Sequence, residues 1–110
     1  MLRDRAYMLD ILEAAKLAVT YVVNKEADTF IKDIQCQDAV IRRLEIIGEA
    51  DGRISNETRA DYPNIPWREI IGMRNILIHE YDDIDLDTVF KTAKKDMPLL
   101  IASIKQIMNA

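Results

Sequence analysis

The chain has 110 residues, of which 49% are hydrophobic and 31% charged, and its formal net charge is −4. This length predicts one domain over residues 1–110 with a modest core. The acidic balance argues against a broad, sequence-independent nucleic-acid binder, which needs a basic surface, but not against a small basic site. The single cysteine, Cys36, excludes an intrachain disulfide and favours a reducing cytoplasm. No apolar run reaches the roughly 18 residues of a membrane span.

Apolar residues recur at helical spacing along most of the chain, and glycine and proline are few. In the first helix the predicted apolar stripe includes Leu9 and Ile11. Gly48, in the second long helix, would permit close approach of another helix. The main helices are predicted over residues 3–23, 34–50 (or as far as 54), 66 into the acidic run that begins at 82, and 86–108. Their short connections predict an all-α, up-down four-helix bundle with short extra helical turns.

Several residues are predicted to shape the helix ends. Asp28 or Thr29 would cap a short helical turn that carries Phe30. Ser55 would cap another short segment, which reaches Tyr62. Further caps and breaks are predicted at Pro66 (first turn of the third helix), Asp85 (start of the last helix) and Pro98 (a kink near residues 94–98).

Residues 74–81 read Arg-Asn-Ile-Leu-Ile-His-Glu-Tyr and contain the only histidine. Helix positions seven apart lie within roughly 20° of each other, and positions four apart within roughly 40°. Arg74 and Tyr81, together with Asn75 and His79, should therefore share one broad polar arc. The other side is predicted to dock on the core through Ile70, Met73, Ile76 and Leu77.

These four polar groups suit chemistry on a phosphate ester. Imidazole exchanges protons near neutral pH, guanidinium binds phosphate oxygens through paired bonds, and a phenol adds a hydrogen bond or a modification site. Structural roles compete with this interpretation: His79 as a hydrogen-bonded structural residue, Arg74 as a partner of Glu80 or Asp82, and Tyr81 as a packed aromatic.

Other features also have two interpretations. Arg42 and Arg43 could contact RNA or pair with Glu45 and Glu49, and the acidic run 82–87 could cap a helix or dock a basic partner. Trp67 and Met73 are predicted in the core or at a dimer interface, and Cys36 as a small buried apolar residue.

Beyond the eight residues, longer segments carry a family resemblance. They are residues 37–50 (QDAVIRRLEIIGEA), 65–75 (IPWREIIGMRN), the Arg-x4-His-x-Tyr motif at 74–81, the acidic exit at 82–85 and the Met97-Pro98 pair. Together they resemble the HEPN superfamily, and in particular its HepT-like group, over nearly the whole chain. Residues 50–53 depart from that group, which usually continues with alanine and basic residues there.

The resemblance implies a homodimer that brings two motifs to one cleft and acts as a metal-independent endoribonuclease without a cofactor. It implies catalysis by Arg74 and His79, with Asn75 in support. It further implies the toxin half of a two-gene toxin–antitoxin module, whose partner is a minimal nucleotidyltransferase that silences the toxin by adding AMP to Tyr81.

A second hypothesis is a non-catalytic helical subunit that binds such a nucleotidyltransferase and a nucleotide. The acidic net charge favours this second hypothesis, whereas the motif favours the nuclease. A purely structural bundle is the third alternative.

Overall fold

A computed structural model describes residues 2–79 and 84–109, and this part of the chain is all-helical, without strands. None of its helices is both long and apolar enough to cross a membrane. The elements are α1 (Leu2–Val22), α2 (Ala27–Lys32), α3 (Ile34–Asp51), α4 (Asn56–Asp61), α5 (Trp67–His79), α6 (Leu86–Lys91), a π-helical turn (Thr92–Asp96) and α7 (Met97–Met108). The all-α class is confirmed, while the up-down four-helix order and the homodimer stay predictions.

Two of the predicted helix caps are confirmed. The Ser55 hydroxyl accepts a hydrogen bond from the Thr58 main-chain N–H at 3.2 Å and starts α4. The Asp85 carboxylate accepts main-chain bonds from Asp87 and Thr88 and starts α6. These side chains satisfy N–H groups that have no partner within the first turn of a helix.

Other predicted ends differ. Neither Asp28 nor Thr29 caps α2, because the helix begins earlier and Glu26 takes the N-cap position through its main-chain carbonyl. The α3 helix ends at Asp51, within one residue of the predicted end at 50, and the alternative end at 54 is not reached because Gly52 follows and the chain turns there. A glycine weakens a helix interior by about 1 kcal/mol relative to alanine, which favours termination at this point.

The core lies where α3 packs against α1 on one side and α5 on another, with α7 closing over α1. Its fully buried aliphatic side chains include Ile11 on α1, Leu44 and Ile47 on α3, and Ile104 on α7. Leu9, predicted within the stripe of α1, is instead 43% exposed. The stripe is therefore narrower than the periodicity of α1 indicated.

Pro98 and the π-helical turn before it interrupt the last helix. The main-chain N–H of Met97 reaches back five residues to the carbonyl of Thr92, so the turn is one residue wider than an α-helical turn. Proline has no N–H to donate and its ring crowds the preceding turn, which a widened turn relieves. The irregularity, residues 92–96, overlaps the predicted stretch 94–98 but begins two residues earlier.

Asp4 ties the start of α1 to the cap of α4. Its carboxylate accepts hydrogen bonds from the hydroxyls of Ser55 and Thr58, both at 2.6 Å, and from the main-chain N–H of Ser55 at 3.1 Å. The Ser55 and Thr58 bonds hold the pKa of Asp4 below its usual value. Charge-assisted bonds of this kind are stronger than neutral ones and fix two distant segments together.

Asp51, in the last turn of α3, has no exposed surface. Its carboxylate lies 3.4 Å from the Arg59 guanidinium, which also donates a 2.6 Å hydrogen bond to the main-chain oxygen of Asp51. Within the described residues neither carboxylate oxygen has a hydrogen-bond partner. Burial therefore raises the pKa of Asp51 to about 7, and the Arg59 charge opposes that shift only in part.

We expect the Asp51→Asn substitution to remove a pH dependence of stability. The folded carboxyl holds its proton up to about pH 7, whereas the unfolded one loses it near its ordinary value of 3.8. The free energy of unfolding of the wild type should therefore fall as pH rises from 4 to 7, by up to about 4 kcal/mol for this group. Urea unfolding at several pH values measures the difference between the two proteins.

The control for this experiment is Asp38→Asn, which changes an exposed carboxylate on the same helix. It should leave the pH slope as in the wild type. Parallel slopes for Asp51→Asn and the wild type would contradict the assignment of the slope to Asp51.

Candidate active site

The position of the motif helix is set where α5 crosses α3 at Gly48. Gly48 is buried, and a Cβ built on it would lie 2.5 Å from Cγ of Arg74 and closer still to Arg74 Cβ. Such contacts are far shorter than van der Waals distances, so a side chain at position 48 would force the helices apart. The glycine therefore lets the stem of Arg74 lie directly on the backbone of α3.

This contact corrects the predicted position of Arg74. The side chain is only partly exposed, and its Nε is buried without a hydrogen-bond partner in the described part of the chain. The buried stem fixes the guanidinium, and Nη1 donates a 3.2 Å hydrogen bond to Oδ1 of Asn75. Arg74 thus stands at the edge between the core-facing and exposed sides of α5, because its aliphatic carbons are apolar enough to be buried.

Asn75 and His79 lie on the exposed side of α5, as predicted. The carbonyl oxygen of Asn75 accepts its bond from Arg74, and no hydrogen bond joins Asn75 to His79 among residues 2–79 and 84–109. Asn75 therefore orients the guanidinium rather than the imidazole. The fourth predicted group, Tyr81, lies outside the described residues, as do Glu80 and Asp82, the suggested partners of Arg74.

The apolar side of α5 is only partly as predicted. Ile70 and Leu77 are buried and Met73 is half-buried, whereas Ile76 is 51% exposed. The prediction that Ile76 docks on the core is wrong, because the stripe that meets α3 is narrow and Ile76 falls outside it. Trp67 is in the core, and its indole N–H donates to the Tyr62 carbonyl at 3.0 Å.

The structure also shows the contacts of Arg42 and Cys36, whose roles were interpreted from the sequence. Arg42 forms an ion pair with Glu45 at 3.6 Å, which favours the salt-bridge interpretation for that residue. Cys36 is buried and its thiol donates to the Tyr21 carbonyl at 3.6 Å, while burial raises its pKa. It is a small buried residue, as predicted.

Together these positions place one anchored guanidinium and one exposed imidazole at nearby positions on a single helix. The guanidinium keeps donors beyond the one used by Asn75, so it can still bind a phosphate. Residues 2–79 and 84–109 contain no group of three or more His, Cys, Asp or Glu side chains arranged to hold a metal ion.

Two features of the structure are not visible in the sequence pattern. The pattern predicts close approach at Gly48, but not that Arg74 is the residue lying on it. Asp51 gave no signal beyond its departure from the resembled group, since burial of a carboxylate depends on neighbours that are distant in the sequence.

Comparison with known proteins agrees with the family resemblance of the sequence. Residues 11–107 match the family model described as "Ribonuclease HepT-like". A "Putative RNase" of Methanocaldococcus jannaschii is 44% identical over 94 residues, which cover 86% of each chain. A "Probable ribonuclease HepT" of Thermococcus cleftensis is 41% identical over 92% of each chain. A "Putative RNase" of Caldanaerobacter subterraneus is 35% identical over 99% of this chain and 97% of its own.

No solved structure shows a significant match to the chain. The all-helical fold of the described residues is the one expected from the resemblance in the sequence. The matches extend over nearly the full length, and the chain belongs to the HepT-like ribonuclease family.

Two glycine substitutions should distinguish the effect of the close helix contact at Gly48 on stability from the effect of helix propensity alone. Gly48→Ala should destabilise the protein by about 1–3 kcal/mol, because the added methyl group overpacks the contact with Arg74. Gly72→Ala, on α5, meets no heavy atom of the described residues within 4 Å and should stabilise the protein by up to about 1 kcal/mol. Urea unfolding measures both, and equal effects of the two substitutions would contradict this role for Gly48.

Proposed function

We propose that the protein is a cytoplasmic, metal-independent endoribonuclease and that Arg74 and His79 are its catalytic residues. The observation that carries the proposal is the pairing of an anchored guanidinium with an exposed imidazole on α5, in a chain of the HepT-like ribonuclease family. RNA is the substrate class, since relatives of this chain bear the names of ribonucleases.

The proposed reaction uses the nucleophile that RNA itself carries. A base removes the proton of the 2′-OH, the 2′-oxygen attacks phosphorus, and the bond from phosphorus to the 5′-oxygen breaks. An acid gives a proton to that leaving oxygen, so the products are a 2′,3′-cyclic phosphate and a 5′-hydroxyl. His79 supplies an imidazole for proton transfer, and Arg74 binds the phosphate and stabilises the charge that develops there.

A homodimer would complete this site. One chain supplies one histidine, whereas the reaction needs both a base and an acid at the same phosphate. A two-fold axis beside α5 would bring two copies of His79 and Arg74 to one groove. The exposure of His79 leaves it accessible to such a partner.

We further propose that the protein is the toxin of a toxin–antitoxin module and that a minimal nucleotidyltransferase neutralises it. The enzyme would attach AMP units to Tyr81, the last residue of the motif. The added bulk and negative charge beside Arg74 would exclude the RNA backbone. The support for this part is the family membership and the presence of the whole Arg-x4-His-x-Tyr motif.

A second candidate function is a non-catalytic helical subunit that binds the nucleotidyltransferase and a nucleotide. The net charge of −4 favours this candidate, because a net negative charge disfavours binding of RNA away from a locally basic site. RNA cleavage distinguishes the two candidates directly.

Purified wild-type protein, unmodified at Tyr81, should cut total RNA in the presence of EDTA. His79→Ala and Arg74→Ala should each lower the cleavage rate by about 100-fold or more, because each removes a group used in the transition state. Gel electrophoresis measures the rate, and end-group analysis should find 2′,3′-cyclic phosphates.

Arg68→Ala is the matched control for Arg74→Ala, because Arg68 is an exposed arginine on the same helix. It should change the rate little. An equal loss in both variants would point to general attraction of RNA instead of a specific role for Arg74, and uncut RNA with unmodified wild type would refute the nuclease.

Tyr81→Phe tests the modification separately. Incubation of the wild type with the nucleotidyltransferase and ATP should add the mass of one or more AMP units and abolish cleavage. The Tyr81→Phe protein should gain no mass and continue to cut RNA, because phenylalanine lacks the acceptor oxygen. Mass spectrometry checks this, and AMP found on another residue of the wild type would contradict the assignment to Tyr81.

A further inference from the structure

An apolar groove of about 880 Å³ runs between α5 and the rod formed by α6, the π turn and α7. Ile70, Leu77, Val89 and Leu100 form buried parts of its lining. Two large apolar side chains of the same lining face solvent, with 51% of Ile76 and 69% of Leu99 exposed. Burial of exposed apolar surface of this kind by a partner is favourable, because it removes that surface from water.

The charged residues in the described lining of this groove have a single sign. Its described lining includes the carboxylates of Glu69, Asp85 and Asp96 and contains no lysine, arginine or histidine. All three carboxylates are exposed. The groove therefore favours an occupant that is apolar along its length and positively charged at its edges.

This charge pattern disfavours two other occupants. RNA would bring phosphates against the three carboxylates, which repel them. In a two-fold contact of this face with itself, a concave surface would meet the same concave surface, and both copies would contribute the same three carboxylates. A helix with leucine-like residues on one face fills such a groove, since helices commonly bind apolar grooves through residues spaced three and four apart.

We propose that this groove, which we call the α5–α7 groove, binds an amphipathic helix of another protein, with apolar anchors facing Ile76 and Leu99 and basic side chains against the carboxylates. The site is separate from the residues proposed for catalysis and does not depend on nuclease activity. It gives the protein a docking surface for a basic partner.

Two labelled synthetic peptides of about 15 residues test the proposal. Both place leucines at helical spacing, and they differ only in carrying lysine or glutamate at the flanking positions. The lysine peptide should bind saturably in fluorescence anisotropy, at least tenfold more tightly than the glutamate peptide, and added salt should reduce the difference. Equal affinity for the two peptides, or no saturable binding of the lysine peptide, would overturn the proposal.

Matched substitutions locate the binding surface. Leu99→Asn should weaken binding of the lysine peptide about tenfold, because it removes an apolar anchor. Ile34→Asn is the control, since Ile34 is 70% exposed and lies outside the groove. Glu69→Lys should weaken binding of the lysine peptide and strengthen binding of the glutamate peptide, a change that nonspecific apolar binding does not produce.

Two further measurements on Leu99→Asn separate this proposal from the proposed nuclease. RNA cleavage by the variant should match that of the wild type, and its mass in sedimentation should be unchanged. A shift to a smaller species would show that the groove is a contact between copies of this chain and would overturn the proposal. Failure of the wild type to cut RNA would refute the nuclease while leaving the peptide result intact.

Discussion

The packing of Arg74 on Gly48 is the contact on which the candidate site depends. It joins the helix that carries the motif to the central helix of the core, and it fixes an arginine by its carbon stem rather than by an ion pair. Ordering a long, flexible side chain costs conformational entropy, and burial of the apolar stem offsets that cost before any substrate binds. The guanidinium is then oriented by Asn75, whereas His79, one turn later, is left exposed.

Polar contacts near the ends of α1 and α3 support the same arrangement from a distance. Asp4 joins the start of α1 to α4, and Asp51 pairs with Arg59 at the end of α3. Arg59 in turn lies over the ring of Trp67, the first residue of α5, at 6.0 Å from its centroid. The start of the motif helix therefore also contacts α4 through Arg59, and α4 is in turn bonded to α1 through Asp4 and to α3 through Asp51.

The distribution of charge separates two surfaces of α5. Arg74 packs against α3 and the imidazole of His79 is exposed, and neither residue belongs to the described lining of the acidic, apolar α5–α7 groove. An acidic protein can still bind an anionic substrate at a locally basic site, because salt screens the interaction between exposed charges beyond about 10 Å. The net charge of the chain is thus a weaker guide to function than the arrangement of charges around α5.

Sequence by itself determined the helical class, the approximate positions of the long helices, the caps at Ser55 and Asp85, the disturbed stretch before Pro98 and the family. Each of these depends on residues close together in the chain, whose spacing and backbone preferences are visible in the sequence. Tertiary structure alone decided that Arg74 is half-buried on Gly48, that Ile76 and Leu9 face solvent and that Asp51 is buried with a raised pKa. Helical periodicity defines an apolar side but not its width, and burial of a charged group depends on which distant elements pack over it.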